Sequence, residues 1–187
     1  MKRIIPFILA LLLPAFVAAQ KLDPKVFYTI QLSNGLLLDN QGSLDDNARI
    51  FLAKPDAGKV SQAWQLIPVK DDTYIIVNAT SRKAIDKGNG ARTAPIIQWN
   101  ADAGNQNQQY RIQPAEGGYY TITNTENGYR IVLRDAAQFG EPVWVVPAAK
   151  SETQLWKFTV TKVNAQAAKI DLPKTSSTND WENEHIF

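Results

Sequence analysis

"QAWQLIPV" at residues 62–69, "QQYRIQPA" at 108–115 and "QLWKFTVT" at 154–161 are three versions of one segment, set 46 residues apart. The same step relates Tyr28, Tyr74 and Tyr120, and Leu66, Ile112 and Phe158, while Pro68 and Pro114 match across the first two units. Three units of 46 residues span Val26 to Val163. Agreement at this many positions marks three copies of one structural unit, which bury a core between them.

Each unit reads as four short strands. "VFYTIQL", "TYIIVNA" and "YYTITNT" are rich in β-branched and aromatic residues and form the first strands. "GLLLD", "KAIDK" and "YRIVL" are the second, and "RIFLA", "PIIQW" and "PVWVV" the third. "WQLIPV", "YRIQPA" and "WKFTVT" are the fourth. Asn34-Gly35 and Asn127-Gly128 supply matching hairpin turns, and Asn89-Gly90 lies in a later loop. No stretch between 20 and 163 carries a helical period. An all-β chain of about twelve strands with pseudo-threefold symmetry follows. Propellers also have four-stranded blades but usually need at least four of them. A β-trefoil is the better solution.

The chain has 187 residues, no cysteine and one histidine. It therefore has no disulfides, thiol nucleophile or cysteine–zinc site, and a histidine-rich metal centre is excluded in practice. No cofactor is implied. Lys2 and Arg3 account for the whole formal charge of +2, because the remaining 18 basic and 18 acidic side chains balance. Neutrality argues against a nucleic-acid partner, which calls for a concentrated basic face. It argues equally against a membrane-surface role.

Those two cations precede an apolar run from Ile4 to Val17, and Val17-Ala18-Ala19 supplies small residues for cleavage before Gln20. Residues 1–19 thus read as a signal peptide, with an exported bacterial protein, periplasmic or extracellular, as the expectation. A membrane anchor is disfavoured because the run falls short of the ~20 residues a span needs, and Pro6 and Pro14 interrupt it. Residues 20–163 form the repeat domain. Residues 164–177, rich in Ala, Lys, Ser and Thr with Pro173 among them, read as a linker before a short tail at 178–187.

Gln62-Ala63-Trp64, Gln108-Gln109-Tyr110 and Gln154-Leu155-Trp156 resemble the threefold Q-x-W signature of ricin-type β-trefoil lectins. The resemblance covers residues 26–163, although the cysteine pairs of many members are missing. It implies that the signature residues are mostly structural, with Trp64, Tyr110 and Trp156 in the core. It also implies a sugar site in each lobe, built from an Asp after the second strand, an aromatic at the end of the third, and an Asn-Gln pair before the signature aromatic. Such a set suits a pyranose: a ring stacks on its C–H face, while a carboxylate and an amide bond its hydroxyls.

The second lobe matches at every position, with Asp86, Trp99, Asn107 and Gln108. The resemblance gives Asp86 two hydroxyls to accept from, Trp99 the stacking role, Asn107 the ring edge and Gln108 an orienting role. The first lobe keeps Asp39 but has Leu52 for the ring and Ser61 for the Asn. The third has Val132, Val146 and Thr153 in those places, with Trp144 two residues before the stacking position, in register with Ile50 and Ile97. One site per chain is expected, for a galactose-type glycan. A single shallow site corresponds to a Kd of roughly 0.1 to 1 mM, or ~4 to 5 kcal/mol, so retention on a surface calls for multivalency or tethering.

The tail "NDWENEHIF" resembles the opening of bacterial β-galactosidases of glycoside hydrolase family 2, with Asp180 to Asn183 matching and Glu184 in place of the usual Pro. The expectation is a non-catalytic carbohydrate-binding module placed before a downstream glycosidase domain. A catalytic site within the repeats is not expected: His185 lies in the tail, which rules out a Ser-His-Asp arrangement among the repeats. Asp45-Asp46 and Asp71-Asp72 are adjacent pairs in polar loops, whereas glycosidase acids must face each other across a cleft. The rival readings are a degenerate trefoil that serves as a structural or protein-interaction module, and a trefoil protease inhibitor.

Overall fold

The structure, a computed structural model, describes residues 22–89, 94–132, 140 and 142–165. The expected signal peptide at 1–19, Gly90 of the Asn89-Gly90 pair, most of the expected linker and the tail at 178–187 lie outside the described residues.

Thirteen strands are present, one more than the twelve expected, among the described residues. Lobe 1 holds β1 (Phe27–Leu32), β2 (Leu37–Asp39), β3 (Phe51–Ala53) and β4 (Trp64–Lys70). Lobe 2 holds β5 (Thr73–Asn78), β6 (Lys83–Asp86), β7 (Ala94–Pro95), β8 (Ile97–Asn100) and β9 (Tyr110–Pro114). Lobe 3 holds β10 (Tyr120–Asn124), β11 (Arg130–Val132), β12 (Trp144–Val146) and β13 (Trp156–Thr161). The extra strand comes from lobe 2, where "PIIQW" divides around Ile96 because β7 pairs with β12 of lobe 3 and β8 with β6.

The first and last strands of the lobes close a six-stranded barrel: β1 pairs β4, β4 pairs β5, β5 pairs β9, β9 pairs β10, β10 pairs β13, and β13 returns to β1. Closure leaves no free edge. It also accounts for both sets of repeated aromatics, since Tyr28 stands across from Trp64, Tyr74 from Tyr110 and Tyr120 from Trp156. All six are buried, together with Ile30, Ile76 and Ile122 from the matching strands.

The remaining hairpins, β2–β3, β6–β8 and β11–β12, cap one end of the barrel. They are joined by a closed ring of backbone hydrogen bonds. Ile50 N–H donates to Ile96 at 3.1 Å, Ile96 N–H to Val143 at 2.8 Å, and Val143 N–H to Ile50 at 2.9 Å. All three residues are fully buried. Among the described residues no helix is long and apolar enough to cross a membrane.

Candidate functional site

The hairpin registers decide which residues are equivalent. Asp86 faces Ile97 and Ala84 faces Trp99. In lobe 1 Asp39 faces Phe51 and Leu37 faces Ala53; in lobe 3 Val132 faces Trp144 and Arg130 faces Val146. The counterpart of Trp99 in lobe 1 is thus Ala53, not Leu52, which faces Leu38 and is fully buried. Likewise Trp144 is in register with Phe51 and Ile97 rather than with Ile50.

Asp86 is only 4% exposed. Its Oδ1 accepts the Gly88 amide at 2.6 Å, and its Oδ2 accepts Gln108 Nε2 at 2.9 Å and Asn105 Nδ2 at 3.3 Å. A carboxylate has about four acceptor positions, so roughly one is left for an incoming hydroxyl. Two hydroxyls, as the family pattern implies, require Asn105 to give up its long bond. Trp99 is 43% exposed. Two residues before it, Ile97 lines the same cleft.

Asn107 rides on a 3-10 turn, Gln106–Gln108, whose N-cap Asn105 accepts the Asn107 amide at 3.0 Å. Asn107 Nδ2 donates to Asn89 Oδ1 at 2.6 Å. Asp86, Ile97, Trp99, Asn105, Asn107 and Asn47 line one cleft of about 450 Å³. An apolar floor with a carboxylate and several amides at its rim can hold a polyol that has one apolar face.

Gln108 does not line this cleft. It is fully buried behind Asp86, donating also to the Asn100 carbonyl at 2.9 Å and accepting the Asp102 amide at 2.8 Å. It fastens the loop after β8 and orients the carboxylate at once. Gln62 does the same in lobe 1 with Lys54, Asp56 and Asp39, and Gln154 holds Pro147 and Ala149 in lobe 3.

Two buried amides beneath the site have no counterpart in the Q-x-W pattern. Gln98 occupies the place that Leu52 and Val145 hold in the other lobes. Its Nε2 donates to the carbonyls of Ser43 and Asp45 at 3.0 and 2.8 Å, while its Oε1 accepts Asn40 and Ser81. Asn124, at the end of β10, donates to the carbonyls of Gln106, Asn107 and Gln109. Asn78, 46 residues before Asn124, makes the matching bonds to the Ser61 and Ala63 carbonyls, so Asn124 is a repeated position, whereas the one visible signal of Gln98 is a polar residue inside a strand that otherwise reads as core.

The outer lobes are altered in chemistry. Asp39 is fully buried, and Lys59, the counterpart of Asn105, donates to its Oδ2 at 2.8 Å. Burial opposes ionisation of Asp39, but hydrogen bonds from Lys59, Gln62 and the Gln41 amide prevail and hold its pKa below the usual value. Lobe 3 has no carboxylate at this position, and half-buried Trp144 faces Val132. Tyr110 differs from its two indole counterparts. Trp64 Nε1 donates to the Leu38 carbonyl at 3.1 Å and Trp156 Nε1 to Ile131 at 3.0 Å. The Tyr110 hydroxyl is buried with no partner among the described residues. Burial, and then the Asp86 charge, push its pKa well above the ordinary tyrosine range.

The adjacent acid pairs sit at the surface as ion-pair partners: Asp46 binds Lys83 and Asp72 binds Arg111. Among the described residues no three His, Cys, Asp or Glu side chains are grouped to hold a metal ion.

A family model for ricin-type β-trefoil lectin-like domains matches residues 18–99 and 61–145. The two matches overlap, as expected of a repeat. The designed threefold-symmetric protein ThreeFoil superimposes with a TM-score of 0.66 at 24% identity, over 71% of this chain and 96% of that one. The exo-β-1,3-galactanase 1,3Gal43A of Clostridium thermocellum gives 0.68 at 28% identity, over 76% of this chain but only 32% of the galactanase. The C-half of an earthworm R-type lectin, solved with GalNAc, gives 0.59 at 16% identity, over 72% and 98%. No curated protein matches in sequence.

Proposed function

The chain belongs to the ricin-type β-trefoil lectin-like family, and on that premise we propose that its second lobe is a carbohydrate-binding site for a galactose-type glycan. One observation carries the reading: exposed Trp99 shares a cleft with the Asp86 carboxylate and the Asn107 amide, and neither outer lobe repeats that set. Trp99 stacks on the sugar's C–H face, Asp86 accepts a hydroxyl, and Asn107 bonds the ring edge. Gln108 acts through Asp86, as a positioning residue. The galactose preference draws support from the GalNAc bound to the earthworm lectin and from the galactanase that contains a similar domain.

The domain's role is binding rather than catalysis. Residues 1–19 export it, and residues 164–177 tether it to a partner domain at its C-terminal side. Attachment to a glycoside hydrolase rests on the sequence of residues 178–187, and on the precedent of a galactanase in which a similar domain is about a third of the chain. Calorimetry with galactose and lactose on wild type and Trp99→Ala tests the binding site. Heat from wild type that vanishes in the variant is expected. No heat with either sugar from folded wild type overturns the reading in favour of a structural or interaction module.

A further inference from the structure

Asn47 belongs to lobe 1, yet it stands at the rim of the lobe 2 cleft. The bridge between Arg49 and Ile97 is antiparallel, so Asn47 lies beside Trp99 on the edge of β8 opposite Ala84. Its amide N–H donates to the Gln98 carbonyl at 2.9 Å, and Gln98 N–H returns a bond to Ala48 at 2.8 Å. Its backbone is left-handed, with φ 63°, a conformation that asparagine tolerates better than most residues. The side chain is exposed and has no hydrogen-bond partner among the described residues. Buried Gln98 holds this loop in place from below through the Ser43 and Asp45 carbonyls.

Asp86 and Asn47 therefore flank β8 from opposite sides. Two interstrand spacings separate them, about 10 Å, with a further two-residue offset along the strand. The hydroxyls that Asp86 holds are therefore not the ones that stand beside Asn47. We propose that Asn47 forms a second subsite, so that the cleft takes a disaccharide unit: the first ring lies on Trp99 against Asp86, and the second ring's hydroxyls bond the Asn47 amide. This rests on the sugar-binding reading above. It adds that the ligand is at least two rings long and that lobe 1 reads the second. Preorganisation by Gln98 limits the ordering cost of that contact.

The test compares galactose, lactose and β-1,3-linked galactobiose by calorimetry on wild type, Trp99→Ala and Asn47→Gly. Glycine accepts the positive φ and keeps the backbone bond, so the variant loses only the side chain. One net hydrogen bond corresponds to about a two- to tenfold gain in affinity. At least one disaccharide should bind wild type tighter than galactose by that factor. Asn47→Gly should erase the advantage and leave galactose affinity unchanged. Trp99→Ala should abolish binding of all three. If Asn47→Gly leaves the disaccharide-to-galactose ratio intact, or if neither disaccharide outbinds galactose, the second subsite falls while the Trp99 site stands. If wild type binds none of the three sugars, both fall together.

Discussion

Gln108 donates to Asp86 at 2.9 Å from a position with no solvent exposure, and Gln62 repeats the contact to Asp39 at 3.0 Å. The glutamine of the repeat is thus a brace behind the carboxylate in two lobes. Replacing Gln108 with Leu takes the acceptor from the Asp102 amide and a donor from both the Asn100 carbonyl and Asp86 Oδ2. A loss of more than ~2 kcal/mol is expected in urea unfolding, together with weaker sugar binding. A variant as stable as wild type would mean that the loop after β8 does not depend on this amide.

Trp99 makes the opposite case. Its ring is partly exposed on the floor of the cleft. Trp99→Ala should cost under about 1 kcal/mol of stability while removing sugar binding. Thermal unfolding beside calorimetry separates the two effects, and a large drop in Tm would show that the ring serves packing instead.

Tyr110 carries a buried hydroxyl without a partner where Trp64 and Trp156 satisfy theirs. Removing it should cost nothing. Tyr110→Phe is expected to match wild type or exceed it by about 1 kcal/mol in chemical denaturation. A clear loss would reveal a partner for that hydroxyl.

The lowered pKa of Asp39 sets a direction for pH. Its folded-state value lies below the unfolded one, so its stabilisation is present above the unfolded pKa of about 4. It is lost as the pH falls through the folded value. Asp39→Asn should lower the urea midpoint at neutral pH and flatten the decline below about pH 4. Parallel acid limbs in the two proteins would assign that decline to other carboxylates.

Lobe 1 lacks a ring at Ala53, and its carboxylate is covered by Lys59. Wild type should bind one sugar per chain. The pair Ala53→Trp with Lys59→Asn should raise the calorimetric stoichiometry toward two. A ratio that stays at one would show that more than these two positions separates the lobes.

The barrel was legible in the sequence because residues related by the pseudo-threefold axis fill one core layer, and a core layer tolerates few residue types. Tyr28 and Trp64 advertise their pairing through their copies in the other lobes. The ruler slips where loops differ. Asp39 and Asp86 are 47 residues apart, yet Ala53 and Trp99 are 46 apart, because the connection after Asp39 is one residue longer. Carrying the offset into the third strand lands on Leu52, one residue short. Asn47 and Gln98 were invisible for another reason. Their work crosses between lobes, over 53 to 55 residues for Gln98 with its loop, and nothing within one repeat signals it.

Finally, the ring of backbone bonds through Ile50, Ile96 and Val143 separates valency from architecture. Each lobe supplies one donor and one acceptor to it. Deleting a lobe would orphan an N–H and a C=O at the buried centre of the fold, where neither finds water. A lobe that has lost its carboxylate or its ring is therefore still obligatory. The number of sugars bound is free to vary between none and three through loop and rim substitutions, while the number of lobes is not.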